Sequence, residues 1–228
     1  MENTFFDNLV LFGLTRIEAQ IYSTLLSHGE MTGYEVSKET GVSRSNVYAG
    51  LSALVEKGAA YLIEGEAAKY TPVEIKKFTE NVISKMERTA GELEKQAPAK
   101  IVQSTGYITI LGSENIRNKI REMLNSTELR LYILAPGKII SEFDEELKKL
   151  VADGKKVVIL TDEYKLKGAK VYETKPEEGQ IRFITDSAYV LTGELTDSPH
   201  DSCLYSGQQN LVNVMKEALK NKIILLEK

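Results

Sequence analysis

Cysteine is nearly missing. Cys203 is the only one in 228 residues, so no disulfide can close within the chain. Long apolar runs are missing too, since none approaches the roughly 18 residues that a membrane-spanning helix needs. The opening MENTFFDNLV has neither the basic start nor the small-residue cleavage site of a signal peptide. Together these absences predict a cytoplasmic protein in a reducing compartment with no membrane partner. Basic charge is also scarce. The net charge of −4 does not advertise nucleic-acid binding. No glycine-rich phosphate loop occurs, and no cofactor is expected. What remains is ordinary for a globular protein, with 42% hydrophobic and 27% charged residues. The length allows one large domain or two small ones.

The most informative stretch is SRSNVYAGLSALVEKG, Ser43 to Gly58. Ser43 is a good N-cap. Val47, Leu51, Leu54 and Val55 recur at four, three and one, which makes one apolar stripe on a helix. Arg44, Ser45, Asn46 and Tyr48 crowd its first turns. Gly58 suits the left-handed residue that ends a helix.

Around it, residues 1–72 read as one domain. Thr4 to Phe12 forms a short helix closed by Gly13. Thr15-Arg16-Ile17-Glu18 is a capping box opening a helix that buries Ile17, Ile21, Tyr22, Leu25 and Leu26. Thr32 caps a third helix from Gly33 to Thr40, and Gly41-Val42-Ser43 turns tightly into the fourth. Two short helices joined by such a turn are the helix-turn-helix signature. Ala60 to Glu64 and Ala67 to Thr71 read as a hairpin, the wing, which ends at Pro72.

Leu14-Thr15-Arg16-Ile17-Glu18-Ala19, Gly41 to Tyr48, Leu51, Leu54, Lys57-Gly58 and Lys69-Tyr70 resemble the TrmB-type transcriptional regulators. That family joins a winged-helix domain to a C-terminal effector domain. The resemblance implies a dimeric repressor or activator that binds double-stranded DNA and often senses sugars. The expected DNA contacts are Arg44, Ser45, Asn46, Tyr48 and Lys69. A helix N-terminus in the major groove lets Asn46 read adenine and Arg44 read guanine or a phosphate, while Ser45 and Tyr48 suit phosphates. The charge works against affinity. Residues 1–72 carry five Lys or Arg against nine acids, and Glu64 and Glu66 flank the wing tip. Phosphate neutralisation dominates affinity, so binding should be weak and confined to modest salt.

Residues 73–103 read as a linker and dimerisation helix. Ile75, Phe78, Val82, Met86, Ala90, Leu93 and Ala97 recur near the helical period and alternate with charge, until Pro98 stops the helix. Pairing of two copies is expected along this stripe, the alternative being that it packs on the chain's own effector domain; its spacing is not a strict heptad.

Residues 104–228 alternate strand and helix. Strands are expected at Tyr107 to Leu111, Leu129 to Leu134 and Lys156 to Leu160, with helices at Ser113 to Asn125 and Ser141 to Ala152. This order implies parallel pairing with right-handed crossovers. Later strands at 169–172, 181–184, 188–193 and 202–205 read as mixed or antiparallel. A helix from Gln209 to Asn221 and a short apolar tail, Ile223 to Leu226, close the chain. The fold class is therefore α+β: a winged helix-turn-helix, a long linker helix and an α/β effector domain on a mixed sheet.

The layout of this domain resembles the phospholipase-D-like effector domain of many TrmB-type proteins. Catalytic members of that fold carry His-x-Lys followed by an Asp. The matching strand here is Gln180-Ile181-Arg182-Phe183-Ile184-Thr185-Asp186. Gln180 cannot form the covalent phospho-intermediate, so no hydrolase activity is expected. Gln180, Arg182 and Asp186 alternate along the strand and are expected on one side. There they form either a small-molecule effector site or a buried Arg182–Asp186 ion pair. A pocket is also plausible beside Ala135 to Lys138 and Thr161 to Glu163, at the ends of two strands expected to be neighbours. Asp197, His200, Asp201 and Cys203 have metal-ligand chemistry, but they sit in a polar Ser-Pro loop, and no metal is expected.

The functional expectation is a DNA-binding transcription regulator, dimeric and controlled by a small molecule. The alternative is a ligand-independent DNA-binding or scaffolding protein whose second domain serves assembly.

Overall fold

The computed structural model describes residues 2–98 and 106–227. They form two compact units, Met1–Ala99 and Lys100–Lys228. The end of the expected linker and the first two residues of the expected second domain lie outside the described residues.

In chain order the first unit runs α1 (Glu2–Leu11), α2 (Arg16–His28), β1 (Met31–Thr32), α3 (Gly33–Thr40), α4 (Arg44–Glu56), β2 (Ala60–Ile63), β3 (Lys69–Pro72) and α5 (Ile75–Gln96). The three strands form an antiparallel sheet, β1-β3-β2, with Met31 opposite Tyr70 and Leu62 opposite Tyr70 on the other side. At two residues, β1 is too short to carry a period of its own. The local chemistry of α2 is the expected capping box: Thr15 Oγ1 accepts from the Glu18 N–H, and the Glu18 carboxylate accepts from the Thr15 N–H at 2.8 Å. Thr32 and Glu35 repeat it at the start of α3. Gly58 follows α4 at φ 73°. The Ala59 and Gly58 N–H groups then reach back to the Leu54 and Val55 carbonyls, a Schellman closure.

Val47, Leu51 and Leu54 of α4 are fully buried against Ile21, Tyr22 and Leu25 of α2. Ile17, expected inside, is 42% exposed, and its neighbour Glu18 is buried instead. On a helix Glu18 lies at the centre of the face that carries Ile21, Tyr22 and Leu25, and Ile17 falls at its edge.

The first turns of α5 belong to this same core. Phe78 is fully buried, with its ring 5.5 Å from that of Tyr22, and the Tyr22 hydroxyl donates to the Val73 carbonyl at 2.6 Å. Ile75 and Val82 pack alongside. Phe78 therefore cannot be part of a seam between copies. Farther along, Ile83, Met86 and Leu93 are exposed, the last two by more than 60%. With Ala90 they recur at three, four and three, which is the seven-residue repeat the whole stripe lacks.

The second unit runs β4 (Tyr107–Leu111), α6 (Ser113–Asn125), β5 (Arg130–Leu134), α7 (Gly137–Ser141), α8 (Asp144–Ala152), β6 (Lys156–Thr161), β7 (Lys170–Glu173), β8 (Gln180–Thr185), β9 (Tyr189–Glu194), β10 (Ser202–Ser206) and α9 (Gln209–Leu226). One seven-stranded sheet has the order β4-β10-β9-β8-β5-β6-β7. Among the described residues only β5-β6 and β6-β7 pair in parallel. The expectation that the first three strands are neighbours fails at β4. It runs in the same direction as β5 but sits at the far edge, with β8, β9 and β10 inserted between them. Two smaller corrections follow from chain chemistry. The expected helix at 141–152 is two helices, α7 starting directly after Pro136. The apolar tail is the last part of α9, because no glycine or proline interrupts it.

The sheet is covered on both faces. Leu131 and Ile133 of β5, with Ile181 and Phe183 of β8, pack beneath Ile116 and Ile120 of α6 and Phe143 and Leu147 beyond. Leu134, Val158, Leu160 and Ile184 point the other way, against Val212 and Leu219 of α9. Strands buried on both faces read as continuous apolar runs, as Val157 to Leu160 does. No helix among the described residues is long and apolar enough to cross a membrane.

Candidate nucleic-acid interface and effector unit

Helix α4 offers the first candidate surface. Ser43 caps it, its hydroxyl accepting from the Asn46 N–H. Arg44, Ser45, Asn46 and Tyr48 are all exposed, while Val47 and Leu51 between and beyond them are buried. The Arg44 guanidinium lies 4.7 Å from the centre of the Tyr34 ring of α3, which steadies a cation without neutralising it. Gly33 is the close approach that sequence reading missed. A Cβ there would come within 2.5 Å of the Tyr48 ring, so this glycine lets α3 and α4 meet closely. Gly50 does the same between α4 and Ile21 of α2.

The wing differs from expectation. Lys69 is paired with Glu30 at 2.8 Å, and that carboxylate, with Glu35 farther off, holds its pKa above the ordinary lysine value. Arg16 pairs with Asp7, and Lys57 with Glu18. Of the five cations in residues 1–72, only Lys38 and Arg44 are free of carboxylate partners among the described residues.

In the second unit the expected trio is split. Gln180 and Arg182 share the face of β8 that also carries Ile184. Asp186 lies beyond the strand end at φ 52°. Its two carboxylate oxygens accept from the backbone N–H groups of Glu128, Leu129 and Arg130, each at 2.8 Å. Burial pushes the Asp186 carboxyl up, but those three donors together outweigh it and hold the pKa below the ordinary value. The Arg182–Asp186 pair does not form. Arg182 is half-buried, makes no ion pair among the described residues and leaves its Nε without a hydrogen bond. Burial lowers its pKa.

The turns after β5 and β6 close on each other. The Gly137 N–H donates to Asp162 Oδ1 at 2.6 Å, and a Cβ on Gly137 would meet the Asp162 carbonyl. Asp201 organises the Ser-Pro loop. It is buried and accepts from Ser113, from the Thr196 hydroxyl and N–H, and from the Asp197 N–H. Asp197 faces Arg117 at 2.6 Å, and His200 is exposed. Cys203 is buried, which pushes its thiol up to about 12, so it stays a thiol at neutral pH.

Comparison with known proteins adds to this geometry. Residues 9–76 match the family described as sugar-specific transcriptional regulator TrmB. Residues 107–218 match the one described as transcriptional regulator TrmB, EBD N-terminal subdomain. This chain belongs to the TrmB family. A relative named uncharacterized protein YrhO, from Bacillus subtilis, is 29% identical over 70% of this chain and 59% of its own length. The sugar sensing transcriptional regulator TrmBL1 of Pyrococcus furiosus is 28% identical over 70% of this chain and 47% of its own. The chain thus spans about half of the length of these relatives. A solved structure described as TrmBL2, an archaeal chromatin protein with a novel mode of DNA binding, covers 97% of both chains at 20% identity and a TM-score of 0.46.

Proposed function

We propose that this TrmB-family protein is a sequence-specific, DNA-binding transcription regulator. It works in the cytoplasm as a homodimer and responds to a small molecule through its second unit. The observation that carries the reading is α4: a helix locked by a fully buried stripe, with Arg44, Ser45, Asn46 and Tyr48 all exposed at its N-terminal end. Membership in a family of transcriptional regulators, and the sugar-sensing regulator among its relatives, support it.

Dimer formation rests on the free part of α5. Ile83, Met86, Ala90 and Leu93 present an apolar seam on a helix of about 33 Å, at the period two supercoiled helices need. The second unit acts by binding rather than by hydrolysis, because Gln180 stands where the phospholipase-D-like nucleophile would be and an amide cannot form the phospho-intermediate.

The test is selection of bound sequences from a random DNA pool, followed by binding of the selected site to Asn46→Ala. One preferred sequence should emerge. The variant should lose about 1–3 kcal/mol on it, less on unrelated DNA, and relax preference at one position. No enrichment of any sequence would overturn the reading in favour of a DNA-coating protein. Equal loss on all DNA would assign Asn46 to phosphate.

A further inference from the structure

The second unit carries a cleft that none of the expected site residues touch. Helix α9 crosses the face of the sheet that bears Ile184 and Leu160. Between α9 and the N-terminal halves of β5, β6 and β7 a gap of about 580 Å³ remains open. That volume lies within the range of small-molecule sites, about 300–1,000 Å³. Its floor is apolar: Val158, Ile184 and Leu219 are all buried. Two half-buried tyrosines, Tyr132 and Tyr172, form its walls.

The rim has the opposite chemistry. Four lysines, Lys156, Lys170, Lys216 and Lys220, line the cleft against two glutamates, Glu217 and Glu227. In a chain of net charge −4 this is a local excess of positive charge. One end is already satisfied. Glu227 takes Lys170 at 2.8 Å and the Tyr172 hydroxyl at 2.6 Å. The other three lysines have no carboxylate partner among the described residues. Lys156 lies 5.9 Å from the Tyr132 ring centre. Lys216 and Lys220 stand one turn apart on α9, facing it across the gap. An apolar floor would not attract a hydrated inorganic ion, and three unpaired ammonium groups would not attract a neutral hydrocarbon. Both features are met by one molecule with an apolar or aromatic body and an anionic end.

We propose that this cleft binds a small amphiphilic organic anion, an aryl or medium-chain carboxylate, sulfonate or phosphate ester. Its body lies on Val158, Ile184 and Leu219, and its charged group lies between Lys156, Lys216 and Lys220. The inference rests on reading the second unit as the effector-binding part of the regulator. Binding in the cleft is measured without DNA, so its failure is separable from failure of that reading.

The probe is 8-anilinonaphthalene-1-sulfonate, titrated into the full chain and followed by fluorescence. Saturable binding near one molecule per chain is expected, displaced by octanoate but weakly by octanol or inorganic phosphate. Lys216→Glu/Lys220→Glu should weaken it about tenfold or more, equivalent to about 1.4 kcal/mol. Ile224→Ser, on the exposed cleft edge, should weaken it without loss of fold. Lys165→Glu/Lys167→Glu, the same charge change on a loop away from the cleft, should leave it unaltered. Circular dichroism and melting confirm that each variant is folded. Equal affinity in Lys216→Glu/Lys220→Glu and wild type overturns the proposal. So does displacement by octanol as strong as by octanoate, or by phosphate alone. Loss of the dimer in Lys216→Glu/Lys220→Glu, with probe binding intact, would make the cleft an interface between copies and overturn it as well.

Discussion

Glu18 and Lys57 are bound to each other at 2.6 Å, and the pair ties the start of α2 to the end of α4. The Glu18 carboxylate also closes the capping box on the Thr15 N–H, and the Lys57 ammonium donates to the Gly13 carbonyl at 2.9 Å. Glu18 is only 7% exposed. The angle of α4 is thus set partly by one ion pair at the far end of the helix from Arg44, Ser45 and Asn46.

Removing one partner leaves the other without its counter-charge. Lys57→Ala should destabilise the first unit by about 1–2 kcal/mol, below the full cost of breaking a buried pair because the lysine is partly solvated. In a double-mutant cycle, Glu18→Gln with Lys57→Met should cost less than the sum of the two single changes. Additive costs in thermal melts would show that the two residues act independently.

Asp186 gives the second unit a sign-defined response to acid. Its pKa is lowered in the folded state, so its contribution to stability is present above the ordinary carboxylate value of about 4. That contribution fades as pH falls from there through the folded value. Asp186→Asn tolerates the left-handed backbone but supplies one acceptor oxygen for three donors, and should cost about 1–3 kcal/mol at neutral pH. The variant's melting temperature should also fall less steeply between pH 5 and 3 than that of wild type, if Asp186 carries that slope.

How far the sequence could be read depends on the range of the interaction. Caps, turns and stripes are local, and Thr15, Ser43, Gly58 and the α4 stripe were legible for that reason. The wing was legible as two strands, but β1 is two residues long and exists only because β3 pairs with it. Strand order in the second unit depends on which edges meet. The insertion of β8 to β10 between β4 and β5 has no local mark. The period-2 argument for Gln180, Arg182 and Asp186 failed because the strand ends at Thr185. Nothing in the one-dimensional pattern announces that three backbone N–H groups from 128–130 converge on Asp186. The lysine-rimmed cleft was equally hidden, since its lysines come from β6, β7 and α9.

Arg182 carries a burial cost that no carboxylate among the described residues offsets. Replacing it by methionine, of similar reach and no charge, should leave the melting temperature unchanged or raise it by a few degrees, about 0–1 kcal/mol. A fall in stability would show that the guanidinium is satisfied in solution. A rise in stability with a lost effector response would identify Arg182 as a residue held for function at a structural cost.

The wing makes a prediction about salt. Glu30 occupies Lys69 and adds a negative charge beside it. Glu30→Gln should release Lys69 to phosphate, strengthen DNA binding at low salt and steepen the log–log salt slope by about 0.9. Lys69→Ala should then weaken binding in the Glu30→Gln background more than in wild type. Anisotropy titrations at several salt concentrations measure both. An unchanged slope in Glu30→Gln would keep the wing off the DNA.

The two halves of the α5 stripe should respond in opposite ways. Phe78 is closed inside the first unit against Tyr22, so Phe78→Ala opens a cavity and should destabilise that unit by about 3–4 kcal/mol. That loss should not depend on protein concentration. Met86 and Leu93 are exposed and contribute little to the fold of one chain. Met86→Glu with Leu93→Glu should leave the unit folded but set like charges against each other across a paired seam. Light scattering should then report a monomer, and affinity for a two-fold operator should fall because the two recognition helices no longer bind as one body. Phe78→Ala, at a temperature where it is still folded, should remain a dimer. A double Glu variant that stays dimeric would move the interface out of α5. A Phe78→Ala protein that is folded but monomeric would show that core and seam are coupled through the helix they share.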